Sequence, residues 1–130
     1  MLYLDSSAIV KLVAPEPETA ALVKMLRAGA EAVSSALARV EVIRAVRRAG
    51  AGRDRLSRAD AILDRIAVVA VDEGVLHRAA MLGPVDLRTL DAIHVSTALL
   101  LESDIAGLVT YDARLAAAAA TYGLPVLAPS

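Results

Sequence analysis

The sequence predicts an α/β fold, a three-layer α/β/α sandwich in which helices cover both faces of a central parallel sheet. Short apolar runs alternate with helical segments, as expected for strands joined by helices. The runs are continuously apolar, which is typical of parallel strands buried on both faces. The chain has 130 residues, 57% of them hydrophobic, enough for one core, so we expect a single domain over residues 1–130.

Residues that cap or break helices mark the predicted elements of the first half of the chain. In order, we expect a strand at 2–4, a helix at 8–13 after a cap at Ser6 or Ser7 and before Pro15, a helix at 19–27 before Gly29, a weak strand at 32–34, a helix at 36–49 after a cap at Ser35 and before Gly50, and a helix at 53–65.

The second half continues the same alternation. Residues 66–71 are rich in β-branched side chains and form the clearest predicted strand. We then expect a helix at 73–82 capped by Asp72, a loop at Gly83 and Pro84, a helix through 101 capped by Thr89, a strand at 106–109, a helix at 113–122 and a strand at 126–127.

The composition and the first residues exclude several classes of protein. Without cysteine, the chain has no disulfide and no cysteine-ligated zinc. It opens without the basic stretch and apolar core of a signal peptide, and no segment approaches the roughly 18 apolar residues of a membrane helix. We therefore expect a cytoplasmic protein that does not insert into a membrane.

Arginine is concentrated between residues 39 and 65, although the formal net charge of the whole chain is only −1. This stretch has eight arginines and four acidic residues, and guanidinium groups suit phosphates. One interpretation is a surface that binds nucleic acid. The other is a pair of solvated helices with ordinary ion pairs.

Four carboxylates, Asp5, Glu41, Asp91 and Asp112, interrupt otherwise apolar segments. Burying an unpaired carboxylate is unfavourable, so buried acids are usually protonated, ion-paired or bound to metal. Asp5 and Asp112 each follow a predicted strand, so they are expected at the carboxyl edge of the sheet, where open α/β sheets bind ligands.

Each acid also has a purely structural interpretation, and that of Asp91 is the weakest. Asp5 and Asp112 could cap helices, and Glu41 could pair with Arg44 one turn away. Asp91 lies in a helix that is apolar nearly all round, where the helix dipole offers less than desolvation costs. A further group should therefore compensate Asp91.

If the four acids converge, their mutual repulsion requires protons or cations. Sets of oxygen ligands favour hard ions such as Mg²⁺ or Mn²⁺, and three or four carboxylates suit phosphoryl chemistry. His94 is expected to be hydrogen-bonded in the core and not to bind metal, and His77 is expected at the surface. No Ser-His-Asp order and no glycine-rich phosphate loop are visible.

The four acids lie in motifs that resemble those of the PIN-domain ribonucleases, and among them the VapC toxins of toxin-antitoxin pairs. The resemblance covers nearly the whole chain. Its motifs are Leu4-Asp5-Ser6-Ser7-Ala8 with Val10-Lys11-Leu12, Arg39-Val40-Glu41-Val42, Leu90-Asp91-Ala92-Ile93-His94, and Val109-Thr110-Tyr111-Asp112 with Arg114-Leu115-Ala116. It implies a PIN-like fold whose acids bind Mg²⁺ or Mn²⁺ and cleave RNA, a cognate VapB-like antitoxin and a homodimer.

The resemblance also implies roles for individual residues. Asp5, Glu41 and Asp91 would be the main metal-site acids, with Asp112 as the fourth, often binding through water. Ser6 and Thr110 would orient waters or substrate. Arg44 and Arg48, on the same helix face as Glu41, are candidates for contact with phosphate, or with an antitoxin.

The sequence is also compatible, to different degrees, with functions other than that of a toxin. A PIN-fold RNA-processing nuclease and an inactive RNA-binding module both stay open, and an antitoxin reading frame directly upstream would favour the toxin. A receiver-type regulatory domain is disfavoured because Lys11 and Lys24 are the only lysines and Asp5 comes too early. A phosphatase with an aspartyl nucleophile would want an acid where Ser7 stands.

Overall fold

A computed structural model describes residues 1–130 as five short strands that alternate with seven helices. The strands are β1 (Leu2–Leu4), β2 (Ala32–Ser35), β3 (Ala67–Val69), β4 (Gly107–Val109) and β5 (Val126–Leu127). The helices are α1 (Ser6–Val13), α2 (Thr19–Arg27), α3 (Ala38–Arg48), α4 (Arg53–Leu63), α5 (Glu73–Met81), α6 (Thr89–Leu100) and α7 (Ala113–Thr121).

All strands pair in parallel, in the order β3-β2-β1-β4-β5. Strands β2 and β3 extend the sheet from β1 to one edge, and β4 and β5 extend it on the other side of β1. A parallel sheet binds ligands where the strand order reverses, at the carboxyl ends of the strands, which here is the crevice between β1 and β4. The order differs from the 2-1-3-4-5 order of the receiver-type alternative.

Helices cover both faces of the sheet, which confirms the predicted three-layer sandwich. Successive side chains of a strand point to opposite faces. Accordingly Leu2 and Leu4 of β1 pack in the core formed with α1 to α4, whereas Tyr3 packs in the core formed with α6 and α7. None of the seven helices combines the length and hydrophobicity that crossing a bilayer requires.

The prediction for residues 66–71 was wrong in extent. Only Ala67–Val69 forms a strand, and it lies at the edge of the sheet, where Val68 is 39% exposed. Valine and isoleucine favour strands wherever they occur, so β-propensity does not separate an edge strand from a central one. The other elements differ from their predicted bounds by at most two residues at either end, including α1, which begins at Ser6.

Candidate active site

The structure brings the four predicted acids to one cavity of about 280 Å³ at the carboxyl edge of the sheet. Asp5 follows β1, and Asp112 lies three residues after β4. Glu41 and Asp91 stand in the first turns of α3 and α6, which pack on opposite faces of the sheet. Side chains from both helical layers therefore meet at the crevice between β1 and β4.

Asp5 is the most deeply buried of the four acids, with 4% of its surface exposed. Its Oδ1 accepts hydrogen bonds from the Ser7 hydroxyl (2.7 Å) and the Ala8 N–H (2.9 Å), and its Oδ2 accepts one from the Thr110 hydroxyl (2.6 Å). Asp5 itself is thus the N-cap of α1, as one interpretation predicted, and the alternative of a cap at Ser6 or Ser7 was wrong. The Ser7 hydroxyl instead donates to Asp5 and accepts from the Tyr111 N–H (2.9 Å).

Burial raises the pKa of Asp5, although the hydrogen bonds from Thr110, Ser7 and Ala8 act in the opposite direction. These three partners are neutral donors, and no arginine or lysine pairs with this carboxyl group. A buried carboxylate with neutral partners only is the kind of group that a bound cation would stabilise.

The raised pKa predicts how stability depends on pH. The folded state holds the Asp5 proton more tightly than the unfolded state, so this group stabilises the fold below its ordinary pKa of 3.8 and loses that contribution as the pH rises through the raised value. As the pH rises above about 4, the melting temperature of Asp5→Asn should therefore rise relative to that of the wild type. Thermal unfolding of both proteins in metal-free buffer measures it, and a constant or shrinking difference would contradict the assignment.

Glu41 is held by a hydrogen-bonded chain that passes into the core. Its Oε1 accepts from the Ser6 hydroxyl (2.6 Å) and from Nε2 of His94 (2.6 Å), whose Nδ1 lies 2.8 Å from the Tyr3 hydroxyl. Burial raises the pKa of Tyr3, so its hydroxyl is a proton donor. A neutral ring that donates from Nε2 to Glu41 and accepts at Nδ1 from Tyr3 satisfies every partner.

These hydrogen bonds decide between the two interpretations of Glu41. Burial alone would raise the pKa of Glu41, but the hydrogen bonds with His94 and Ser6 bring it below its ordinary value and favour the carboxylate. The alternative of a pair with Arg44 was wrong, since Arg44 points to solvent and forms no ion pair. His94, 2% exposed, is hydrogen-bonded in the core as predicted, and His77 is exposed as predicted.

Asp91 and Asp112 share one arginine that the sequence analysis missed. Arg88 donates from Nε to Asp91 Oδ2 (2.7 Å) and from Nη2 to Asp112 Oδ2 (2.7 Å). It is the compensating group expected for Asp91, and its position three residues before Asp91, at the N-cap of the same helix, was the available signal. Tertiary structure alone shows the second contact, because Asp112 is 24 residues away in the sequence.

Asp112 also caps a helix, as one interpretation predicted. Its Oδ1 accepts from the N–H groups of Arg114 (2.8 Å) and Leu115 (3.2 Å) at the start of α7. Burial by itself would raise the pKa of Asp112, but these N–H groups and the Arg88 guanidinium bring it below its ordinary value. The Asp112 N–H donates to Thr110 Oγ1 (3.0 Å), which connects Asp112 to Asp5 through one hydroxyl.

The two predicted auxiliary hydroxyls contact the acids, whereas the two predicted phosphate-binding arginines lie elsewhere. Ser6 contacts Glu41 and Thr110 contacts Asp5. Arg44 and Arg48 are exposed and line a separate surface cleft with Arg47. Within the arginine-rich stretch only Arg39 forms an ion pair, with Asp64 at 3.4 Å, so most of its positive charge faces solvent.

The donor atoms of the cavity fit a hard divalent cation. Four carboxylates line it, and oxygen ligands select ions such as Mg²⁺ or Mn²⁺. In the observed conformation no three acidic or histidine side chains are close enough to hold one ion together. At Asp91 and Asp112 the positive charge is supplied by Arg88.

Comparison with known proteins identifies relatives along the whole chain. The PIN domain family model matches residues 2–122. Ribonuclease VapC46 of Mycobacterium tuberculosis is 52% identical over 130 residues, which cover 99% of this chain and 98% of the relative. Two solved structures share the fold at TM-scores of 0.73: a toxin-antitoxin complex from Klebsiella pneumoniae (20% identity, 100% of this chain and 98% of that one) and VapBC2 from Rickettsia felis bound to a promoter DNA fragment (16% identity, 100% of both chains).

Proposed function

Because the chain belongs to the PIN-domain family, among its VapC ribonucleases, we propose that it is an endoribonuclease toxin that hydrolyses RNA phosphodiester bonds with Mg²⁺ or Mn²⁺. The observation that carries the proposal is the convergence of Asp5, Glu41, Asp91 and Asp112 on one cavity. A relative 52% identical over nearly the full length of both chains is named a ribonuclease, which supports RNA as the substrate.

Asp5, Glu41 and Asp91 are the proposed principal metal ligands and Asp112 the fourth. A divalent ion bound there would polarise the scissile phosphate and activate the attacking water. Ser6 and His94 keep the Glu41 carboxylate ionised and in place, and Ser7 and Thr110 fix the orientation of Asp5.

The exposed guanidinium groups of Arg44 and Arg48 are proposed to contact RNA phosphates. They lie one and two turns after Glu41 on α3, so an RNA strand that enters the cavity can continue along this helix. Such contacts position the strand by charge and do not read its sequence.

A cognate VapB-like antitoxin is the proposed inhibitor. The Klebsiella structure with the same fold is a toxin-antitoxin complex, which supports a partner of this kind. From the family resemblance we further propose one PIN domain over residues 1–130, a homodimer and a cytoplasmic location.

Binding of the metal can be measured without RNA. An ion that binds only the folded state raises its stability, by about 2.7 kcal/mol at a concentration 100 times the Kd. Saturating Mn²⁺ or Mg²⁺ should therefore raise the melting temperature of the wild type and have much less effect on Asp5→Asn. Calorimetry at matched ionic strength, with Na⁺ as the control salt, measures the shift, and no shift in the wild type would exclude a metal site formed by these acids.

A further inference from the structure

Arg88 is the one arginine or lysine among the residues that line the acid cavity. Its guanidinium group makes a 2.7 Å hydrogen bond to Asp91 and another to Asp112, although half of the side chain is exposed to solvent. Charge-assisted bonds of this length are among the stronger hydrogen bonds in proteins. Arg88 therefore pairs with two of the four carboxylates and neutralises one of their two charges.

The Arg88 side chain has space beside it into which it can move. Arg88 and Asp91 also line a neighbouring cavity of about 430 Å³ between α6 and α7, together with Arg114. Arg88 occupies the N-cap position of α6 but makes no side-chain capping bond there. Moving its guanidinium group thus costs the helix no cap.

A guanidinium group and a divalent cation compete for the same carboxylate oxygens. Both are positive, and Arg88 already occupies one oxygen of Asp91 and one of Asp112. In this conformation the acids do not form a ligand set for one ion. An ion that binds Asp91 and Asp112 must therefore displace the guanidinium group, or it binds more weakly because of it.

A displaced Arg88 has a function of its own. The cavity is lined by four carboxylates, which repel the phosphates of RNA. The planar fork of arginine matches two oxygens of a phosphate. Of the arginine and lysine side chains, only that of Arg88 lines this cavity, and half of it is exposed, so a released Arg88 can reach a bound phosphate.

We propose that Arg88 is a built-in counter-cation that occupies Asp91 and Asp112 until a divalent ion binds, and that it then turns to contact a phosphate of the RNA. The inference rests on the proposed function and adds a residue that couples metal loading to substrate binding. It assigns Arg88 two successive partners, the acids of the empty site and the substrate of the loaded one.

Direct measurement of Mn²⁺ binding tests the first half of the proposal. The free ion is followed by electron paramagnetic resonance in titrations of wild type, Arg88→Ala, Arg88→Lys and Arg114→Ala. Removing Arg88 should tighten Mn²⁺ binding by about 2- to 5-fold, in line with the strength of a partly exposed ion pair. Arg88→Lys keeps the charge without the fork and should fall between.

Arg114→Ala is the matched control. Arg114 lines the neighbouring cavity and forms no ion pair, and its substitution removes the same charge as Arg88→Ala does. It should tighten Mn²⁺ binding less than Arg88→Ala does. Equal effects of the two variants, or weaker binding by Arg88→Ala, would overturn the inference alone. A wild type that binds no Mn²⁺ would overturn the proposed metal site as well.

Binding of a slowly cleaved phosphorothioate RNA tests the second half. With Mn²⁺, Arg88→Ala should weaken RNA binding by about 3- to 10-fold and lower the slope of log affinity against log salt by about 0.7, as one lost phosphate contact does. In EDTA the same substitution should weaken RNA binding less than it does with Mn²⁺, because Arg88 is then held by the acids and its loss removes charge but no phosphate contact. Equal losses of RNA affinity with and without Mn²⁺ would show that Arg88 contributes to RNA binding whether or not the metal is bound. That result would overturn the proposed exchange of partners.

Discussion

Asp5→Asn is expected to lower RNA cleavage by more than about 100-fold while the protein stays folded. Loss of an outer partner of a metal site typically costs about 10- to 100-fold, and Asp5 is a proposed ligand. The fold should tolerate the change. The asparagine oxygen can still accept from Ser7 and Ala8, its amide can donate to Thr110, and a buried charge is removed. Initial rates on an RNA substrate, with circular dichroism of the variant, measure both effects.

Asp72→Asn is the matched control for Asp5→Asn. Asp72 is the N-cap of α5, where its Oδ1 accepts from the Val75 N–H at 2.9 Å, the distance that Asp5 keeps to Ala8. It does not line the acid cavity. This variant should cleave RNA at the wild-type rate. If both variants lost activity equally, Asp5 would act as a helix cap and not as a catalytic acid.

His94→Phe is expected to reduce both stability and cleavage. A phenylalanine preserves the edge-to-face packing against Tyr3 but removes both ring nitrogens. The buried Tyr3 hydroxyl then loses its partner, which costs about 1–3 kcal/mol of unfolding free energy. Glu41 keeps only the hydrogen bond from Ser6, and cleavage should fall about 10- to 100-fold, as for other partners of metal-site residues.

A second substitution separates these two effects. In Tyr3→Phe/His94→Phe no hydroxyl is left unpaired, so most of the lost stability should return, because removing both partners of a buried hydrogen bond is close to neutral. Cleavage should stay low, since Glu41 still lacks His94. Urea unfolding and initial rates of the single and double variants measure this. Recovery of cleavage together with stability would mean that His94 acts only through the fold.

The fold compensates the burial of the four acids with different partners. The sequence positions of the acids predicted only some of these contacts. Asp5 has neutral donors only, Glu41 has a histidine and a serine, and Asp91 and Asp112 share Arg88. The strand-to-helix positions of Asp5 and Asp112 placed them at the carboxyl edge of the sheet. The apolar helix around Asp91 predicted that this acid needs a partner more than the others do, and Arg88 is that partner.

Predictions from local pattern succeeded in part. Alternating apolar runs and helical segments predicted the parallel sandwich, and Asp72 is the cap of α5 as predicted. The caps predicted at Ser35 and Thr89 were wrong, since Leu37 and Arg88 occupy the N-cap positions of α3 and α6. The pattern gave the wrong length for β3, because propensity does not report whether a strand lies at an edge.

Contacts between distant segments were not predictable in this way. His94 meets Glu41 across 53 residues, and Arg88 meets Asp112 across 24. Only the packing of α3, α6 and α7 around the crevice brings these pairs together. A single sequence contains the residues of such pairs but not the geometry that joins them.

The most direct test of the central claim is cleavage of RNA by the purified protein in EDTA and after addition of Mn²⁺, with Asp5→Asn measured in parallel. A metal-dependent nuclease that uses the acid cavity should cleave only after Mn²⁺ is added, and the variant should stay inactive in both conditions. Equal cleavage by wild type in EDTA and in Mn²⁺, or full activity of Asp5→Asn, would contradict the claim.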